Sequence, residues 1–278
     1  ARVSRSSLFA IMVGGLATVA GSVLVGYALL GADLDQLIAA AFMAAPGALL
    51  MAKIVVPETE DVDADGVPVA AAVSQSAVGA DGGGEADAVG EAGAGEIASG
   101  ADTEEEGHVN VIDAAAAGAA DGLRLAANIG AMLLAFISLI ALLNLILGTV
   151  AGWFGIESLT FEQILGWLFA PIMFVIGVPW DEAVAAGSFV GQKTVVNEFV
   201  AFSNFGPVAD QFTEKTQAII TFSLTGFANF GSLAILLGGL GGLAPSRRPE
   251  IAQMGLRCVA AATLANLMSA AIAGILIG

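Results

Sequence analysis

Charged residues are so sparse in this chain that they divide it into long apolar runs. Six stretches contain no Asp, Glu, Lys or Arg, namely residues 6–32, 36–52, 125–156, 163–180, 216–246 and 258–278. A helix that crosses a bilayer needs about 20 apolar residues, with a range of about 17–25. Five of these runs therefore predict membrane-spanning helices, the longest of which should tilt or extend beyond the bilayer. Burial inside a large soluble protein is the alternative, but five such runs in one chain are hard to bury otherwise.

A shorter pattern occupies residues 183–209. Two apolar pieces, 183–192 and 199–209, flank the polar string Lys193-Thr-Val-Val-Asn-Glu198. Each piece would form a helix of about 15–17 Å, which is about half the thickness of a bilayer. The pattern predicts a re-entrant helical hairpin whose tip lies at membrane depth. A surface amphipathic segment is the alternative.

Residues 57–110 differ in composition from the rest of the chain. Between Glu58 and Glu106 there are 14 acidic residues and no Lys or Arg, with Gly and Ala filling the gaps. Such a segment cannot bury enough apolar area to fold, so we predict a disordered acidic loop. A calcium site is the alternative, but no EF-hand spacing is present.

The overall composition narrows the class of protein. The chain is 57% hydrophobic and 13% charged, about half the charge of a typical soluble domain. Its 26 acidic and 9 basic residues give a net charge of −17, which argues against nucleic-acid binding because phosphate contacts need a basic surface. A single cysteine, Cys258, and a single histidine, His108, exclude a disulfide framework and a multi-histidine zinc site. With no catalytic triad available, we do not expect an enzyme.

Together these patterns predict an all-α membrane protein. We expect six segments: 1–56 with two transmembrane helices, the first broken near 14–22; 57–110 as the acidic loop; 111–160 as an amphipathic segment leading into a long tilted transmembrane helix; 161–182 as a half-buried or interfacial helix; 183–212 as the re-entrant hairpin; and 213–278 as a broken transmembrane helix followed by a final one.

The basic residues predict the orientation. If 163–180 does not cross the membrane, seven of the nine basic residues fall on one side, and the exceptions are Lys193 and Lys215. The positive-inside rule favours this arrangement. It places the acidic loop in the cytoplasm and the C-terminus outside the cytoplasmic membrane.

Polar groups inside apolar runs are candidates for function, because they are costly in hydrocarbon. The string Gly15-Leu-Ala-Thr-Val-Ala-Gly-Ser22 is similar to Gly226-Phe-Ala-Asn-Phe-Gly-Ser232, and the two runs enter from opposite sides. This is typical of inverted repeats whose broken helices meet at a binding site at the membrane midplane. Freed carbonyl oxygens could coordinate a cation, and the side chains of Thr18, Asn229 and Ser232 could add ligands or hydrogen bonds. Close helix packing through small residues is the alternative.

Glu198 is the acidic residue that most needs an explanation. It is the sole acid in the stretch 183–209. At the tip of a hairpin inside the membrane, its carboxylate must pair with a cation or accept several strong hydrogen bonds. Vicinal sugar hydroxyls would supply such bonds. A helix cap or an ion pair with Lys193 is the alternative.

These strings give the chain a family resemblance. It resembles the C-terminal two-thirds of a concentrative nucleoside transporter from about Ser7 to Gly278, interrupted by the acidic insert. The strings that carry the resemblance include Ser7-Leu-Phe-Ala-Ile-Met-Val-Gly-Gly-Leu-Ala-Thr-Val-Ala-Gly-Ser22, Val55-Val-Pro-Glu-Thr-Glu60, Val195-Val-Asn-Glu-Phe-Val-Ala201, Gly226-Phe-Ala-Asn229 and Leu243-Ala-Pro-Ser-Arg-Arg248.

The resemblance implies import of nucleosides, coupled to sodium or in some members to protons, by a homotrimer. It implies that Glu198, Asn229 and Ser232 face the ribose, that Phe227 lines the nucleoside site and that Val23 contacts the base. Thr18 and the carbonyl of Val19 would help to bind sodium, and Asn197 would support Glu198. The resemblance also implies that the family's first re-entrant hairpin precedes Ser7, so this chain would hold only part of the binding site. A channel or structural membrane subunit is the alternative function.

Overall fold

The computed structural model describes residues 4–59, 111–155 and 159–278, and within these ranges the chain is helical with no strand. The expected all-α class is thereby confirmed. The helices are α1 (Arg5–Ala17), α2 (Gly21–Leu29), α3 (Leu34–Val55), α4 (Val111–Trp153), α5 (Phe161–Val175), α6 (Trp180–Val195), α7 (Glu198–Phe205), α8 (Glu214–Leu224), α9 (Phe230–Leu243) and α10 (Arg248–Ile277). Most of the predicted acidic loop, from residue 60 to 110, lies outside the described residues.

Polar side chains begin most of these helices, because the first backbone N–H groups of a helix have no partner within it. Asn197 and Asn229 begin the two helices that are most important for the site. The Asn197 Oδ1 accepts a hydrogen bond from the Val200 N–H at 2.9 Å, and the Asn229 Oδ1 accepts one from the Ser232 N–H at 2.7 Å. The other capping side chains are those of Ser4, Asp33, Thr160 and Thr213.

Two apolar runs are interrupted near their centres. The first is broken at residues 18–20, between α1 and α2, and the second at residues 225–229, between α8 and α9. At the second break Gly226 has a φ of +124°, a conformation that is readily available only to glycine. Each break frees backbone groups that a continuous helix would have paired internally.

The hairpin forms between α6 and α7, which are separated by Val196 and Asn197. The preceding pair, α5 and α6, is bent by 118°. Beyond α7 the backbone makes a 3-10 turn, Gly206–Gln211, that touches the loop after α2. A Cβ on Gly206 would overlap the carbonyl oxygen of Leu30, and Gly31 beside it has a φ of +101°, so backbone packs directly on backbone there.

Four stretches of the described chain are long and apolar enough to cross a membrane, and the bent α5–α6 pair could make a fifth. They are Arg5–Leu29, Leu34–Val55, Leu133–Trp153 and Pro245–Ile277. The run 216–246, which we expected to span as a broken helix, consists of α8 with 11 residues and α9 with 14 residues. Neither half is long enough to cross alone.

Helix α10 is the central element of the packing, and it contacts α1, α3, α8 and α9. One buried cluster joins α1 to α10 through residues such as Phe9 and Met254. A second lies around the hairpin and includes Tyr27, Phe199 and Phe202. By contrast, only 6% of the apolar window Leu133–Trp153 of α4 is buried, so this part of the helix presents most of its apolar side chains outward.

Candidate functional site

Glu198 is the first residue of α7, at the turn of the hairpin, and its side chain is only 3% exposed. The carboxylate oxygen Oε2 accepts a hydrogen bond from the Asn229 Nδ2 at 3.1 Å. A carboxylate can accept about four hydrogen bonds, and this contact occupies one of those acceptor positions. Its place at a helix N-terminus is favourable for a negative charge.

Asn229 connects the hairpin to the second helix break. Its Nδ2 donates to Glu198, while its Oδ1 accepts from the Ser232 N–H and so caps α9. Asn229 is 3% exposed and Ser232 is 8% exposed. The structure therefore brings Glu198, Asn229 and Ser232 together, although they are up to 34 positions apart in the sequence (198 to 232).

Thr18 and Val19 lie at the first helix break. The Thr18 Oγ1 donates to the Gly14 carbonyl oxygen at 2.7 Å, and the Thr18 N–H donates to the same oxygen at 3.1 Å. Thr18 and Val19 are both half-buried. No hydrogen bond joins them to Glu198 or Asn229 among the described contacts, so the two helix breaks are linked by other residues.

Apolar and aromatic side chains form the wall beside Glu198. Val23 is 1% exposed and belongs to the same buried cluster as Tyr27 and Phe199, while Phe227 is partly buried and packs against that cluster. The ring of Tyr27 lies 4.6 Å from that of Phe202 and 4.9 Å from that of Phe199, measured between centroids. Tyr27 also interacts electrostatically with Glu198, although its buried hydroxyl has no well-formed hydrogen bond.

The link between the two breaks is a buried polar network that contains Lys193 and Asn266. The Lys193 Nζ donates to the Ser223 carbonyl oxygen at 2.7 Å and to the Asn266 Oδ1 at 3.0 Å. The Asn266 Nδ2 donates to the Ala17 carbonyl oxygen at 3.0 Å. Since Ala17 ends α1 and Ser223 lies near the end of α8, this network joins the hairpin to both breaks.

The alternative that the glycines serve helix packing applies to some of them only. Gly166, Gly187 and Gly191 do let α5 and α6 approach closely, because a Cβ at any of them would lie within 3.0 Å of the neighbouring helix. Near the first break, however, a Cβ on Gly14 or Gly21 would meet no described atom within 4 Å. These two glycines therefore have no packing role in the described part of the chain.

Three residues of the site were not identified from the sequence as functional candidates. Lys193 was considered only as an ion-pair partner of Glu198, and the two do not form a direct ion pair among the described contacts, although their charges interact. Tyr27 gave no signal, because a tyrosine near the end of an apolar run is common at a membrane interface. Asn266 did give a signal: it is an amide inside the run 258–278, and the rule used for Asn229 would have found it.

Comparison with known families gives one match that covers most of the chain. The family described as "Na+ dependent nucleoside transporter C-terminus" matches residues 36–274. Similar curated proteins include the transporter YutK of Bacillus subtilis, which is 52% identical over all of this chain and 61% of its own length. The nucleoside permease NupC of Helicobacter pylori is 43% identical over 99% of this chain and 59% of its own length. The human protein named solute carrier family 28 member 3 is 34% identical over 99% of this chain and 37% of its own length.

Solved structures show the same fold. CNTnw in an intermediate state superimposes with a TM-score of 0.80 at 49% identity, covering all of this chain and 60% of that one. CNTnw in an inward-facing substrate-bound state gives a TM-score of 0.78 at 48% identity, covering 99% of this chain and 58% of that one. The chain thus spans about 60% of the length of these structures and of the bacterial relatives. The matches confirm the resemblance inferred from the sequence, and they are to transporters and not to enzymes.

Proposed function

The chain belongs to the family of sodium-dependent nucleoside transporters, and on that premise we propose that it forms the ribose-binding part of a cation-coupled transporter that imports nucleosides. The chain covers about 60% of the bacterial relatives, so the transport activity is proposed for the full-length protein. The fold is that of a membrane protein with apolar helices, and we place it in the cytoplasmic membrane.

The observation that carries this proposal is the buried carboxylate of Glu198 opposite Asn229. A buried charge is costly unless hydrogen bonds or an opposite charge compensate it. One described hydrogen bond reaches this carboxylate, from Asn229, and two vicinal hydroxyls of a ribose would satisfy further lone pairs. Charge-assisted hydrogen bonds of this kind are about twice as strong as neutral ones.

Neighbouring residues supply the remaining contacts in this proposal. Asn229 and Ser232 would face the ribose together with Glu198, and Asn197 would support the turn by capping α7. Phe227 and Val23 would contact the rest of the nucleoside, in agreement with their places beside the aromatic cluster. An apolar wall with a few well-placed polar groups is the usual composition of a small-molecule site.

Sodium is the coupling ion that we propose, and the first helix break is its proposed site. The Thr18 hydroxyl and the Val19 carbonyl oxygen would be two of its ligands, since a hard cation prefers oxygen ligands. Among the described residues, no three His, Cys, Asp or Glu side chains come together in a group that could hold a metal ion. A proton gradient is the alternative driving force, and it is tested in the same experiment.

Uptake by proteoliposomes that contain the full-length protein tests the function. We expect radiolabelled uridine to accumulate when a sodium gradient points inward, and to accumulate much less without a gradient. A parallel measurement with a proton gradient alone identifies the coupling ion. If neither gradient drives uptake of any nucleoside, the chain is instead part of a channel or a structural membrane subunit.

A further inference from the structure

Lys193 is a charged residue in an unusual environment. Its side chain is only 1% exposed, and it lies in α6, three residues before the hairpin turn begins at Val196. A buried ammonium must be compensated by hydrogen bonds and by a nearby opposite charge. The hydrogen bonds go to the Ser223 carbonyl oxygen and the Asn266 Oδ1, and the opposite charge with which it interacts is Glu198.

The hydrogen-bond partners of Lys193 place it at a junction of the fold. Ser223 lies just before the second helix break, and Asn266 lies in the central helix α10 and donates in turn to Ala17 at the first break. Gly226 packs against the Ala17 carbonyl and the Asn266 side chain. A Cβ at Gly226 would overlap the Ala17 carbonyl oxygen and lie 3.0 Å from both the Nδ2 and the Oδ1 of Asn266. The ammonium is therefore held by two elements, α8 and α10, and the Asn266 side chain of α10 connects it to the end of α1.

We propose that Lys193 is a positioning residue for the nucleoside: its ammonium group keeps the hairpin against both helix breaks and places a positive charge near the Glu198 carboxylate that faces the ribose. This inference rests on the proposed function of Glu198. It goes beyond that function because it assigns the strength of the ribose contact to a residue that does not itself contact the nucleoside.

The proposal predicts a particular pattern of substrate dependence. If Lys193 acts through Glu198, loss of its charge weakens the hydrogen bonds between the carboxylate and the ribose hydroxyls. A nucleoside without those hydroxyls does not make these bonds and should be affected little. If Lys193 only stabilises the fold, its loss should weaken both kinds of nucleoside equally.

The experiment compares uridine with 2′,3′-dideoxyuridine as ligands of the full-length protein. Dissociation constants are measured by competition for the wild type, for Lys193→Gln and for Lys193→Met. We expect the dissociation constant of uridine to rise about 10-fold or more in both variants, the usual effect of weakening a charged hydrogen bond, while that of 2′,3′-dideoxyuridine rises less than about 3-fold. The matched control is Lys215→Gln, a half-buried lysine outside the network, which should leave both constants unchanged.

Each outcome has a distinct meaning. Equal weakening of both nucleosides, or a Lys193→Gln variant that binds uridine as the wild type does, overturns the role of Lys193. If the wild type itself binds no nucleoside, the proposed function fails instead. Should both Lys193 variants fail to fold, Asn266→Asp is used, because the added carboxylate lies beside the ammonium and diverts its charge from Glu198. That variant should show the same selective loss for uridine, and equal loss of both ligands would again overturn the proposal.

Discussion

Asn229 shows how a single side chain can serve structure and binding together. Its side-chain oxygen Oδ1 caps α9, and its side-chain nitrogen Nδ2 donates to Glu198. The start of the helix and the orientation of the carboxylate therefore depend on each other. Asparagine is a common N-cap residue, yet a cap alone could equally use Ser, Thr or Asp. The amide donor is the feature that suits a position next to a carboxylate.

Substitution of Glu198 by Gln tests the proposed contact between this carboxylate and the ribose. The amide keeps the volume of the side chain but loses the charge, and we expect uridine to bind about 10- to 100-fold more weakly, which corresponds to the loss of a charged hydrogen bond. Titration calorimetry with the full-length protein is the measurement. Glu214→Gln is the control, because Glu214 is exposed in the first turn of α8. Unchanged uridine affinity in Glu198→Gln would contradict the proposed ribose contact.

At the scale of elements, the two broken helices form one unit. The end of α1 contacts the second break directly through the backbone of Gly226, and the Asn266 amide of α10 donates to the same Ala17 carbonyl oxygen. Direct contact between backbones allows almost no adjustment, since no flexible side chain lies between them. The ends of α1 and α8 should therefore move together whenever either one moves.

Gly226→Ala tests this contact. The added methyl group would overlap the Ala17 carbonyl oxygen, and the φ of +124° is unfavourable for alanine, a combination that should cost about 2 kcal/mol or more. We expect a lower midpoint of thermal unfolding, measured by the amount of monodisperse protein that remains after heating. Gly238→Ala is the matched control in α9, where a Cβ meets no described atom within 4 Å, and it should be neutral or slightly stabilising. A Gly226→Ala variant as stable as the wild type would show that the breaks are not packed together.

The sequence predicted the features that depend on neighbouring residues, and the structure adds the contacts between residues that are far apart in the sequence. Charge-free runs, central glycines and a lone carboxylate are local features, and they were enough to predict helices, breaks and the candidates Glu198 and Asn229. The network of Lys193, Ser223, Asn266 and Ala17 joins residues as far as 249 positions apart. No local pattern encodes such a contact, because it depends on how α10 packs against both breaks.

At the scale of the whole molecule, α4 contains the least buried of the four candidate membrane spans among the described residues. Its window Leu133–Trp153 has a mean hydropathy of 2.5 but is only 6% buried, and exposed side chains such as Leu134 and Leu145 lie along it. Lipid would cover such a surface. In the homotrimer that the family resemblance implies, a second copy of the chain would cover part of it.

The proposed orientation can be tested with single cysteines and a maleimide reagent that does not cross membranes. We expect a cysteine at Gly83, in the acidic tract, to react only from the cytoplasmic side, and a cysteine at Gly278 to react only from outside. The basic residues favour this arrangement by the positive-inside rule. Cys258 is fully buried and should stay unlabelled in intact protein, which makes it an internal control. Labelling of both positions from one side would contradict the topology.

The contact between Gly206 and Leu30 has a consequence for anyone who redesigns this protein. Because main chain rests on main chain where the hairpin ends, a transplanted hairpin of altered specificity would need glycine at the equivalent of position 206. Any larger residue at that position would shift the transplanted hairpin and misplace its tip. A donor hairpin should therefore be chosen first for its fit at the contact with Leu30 and only then for its ligand preference.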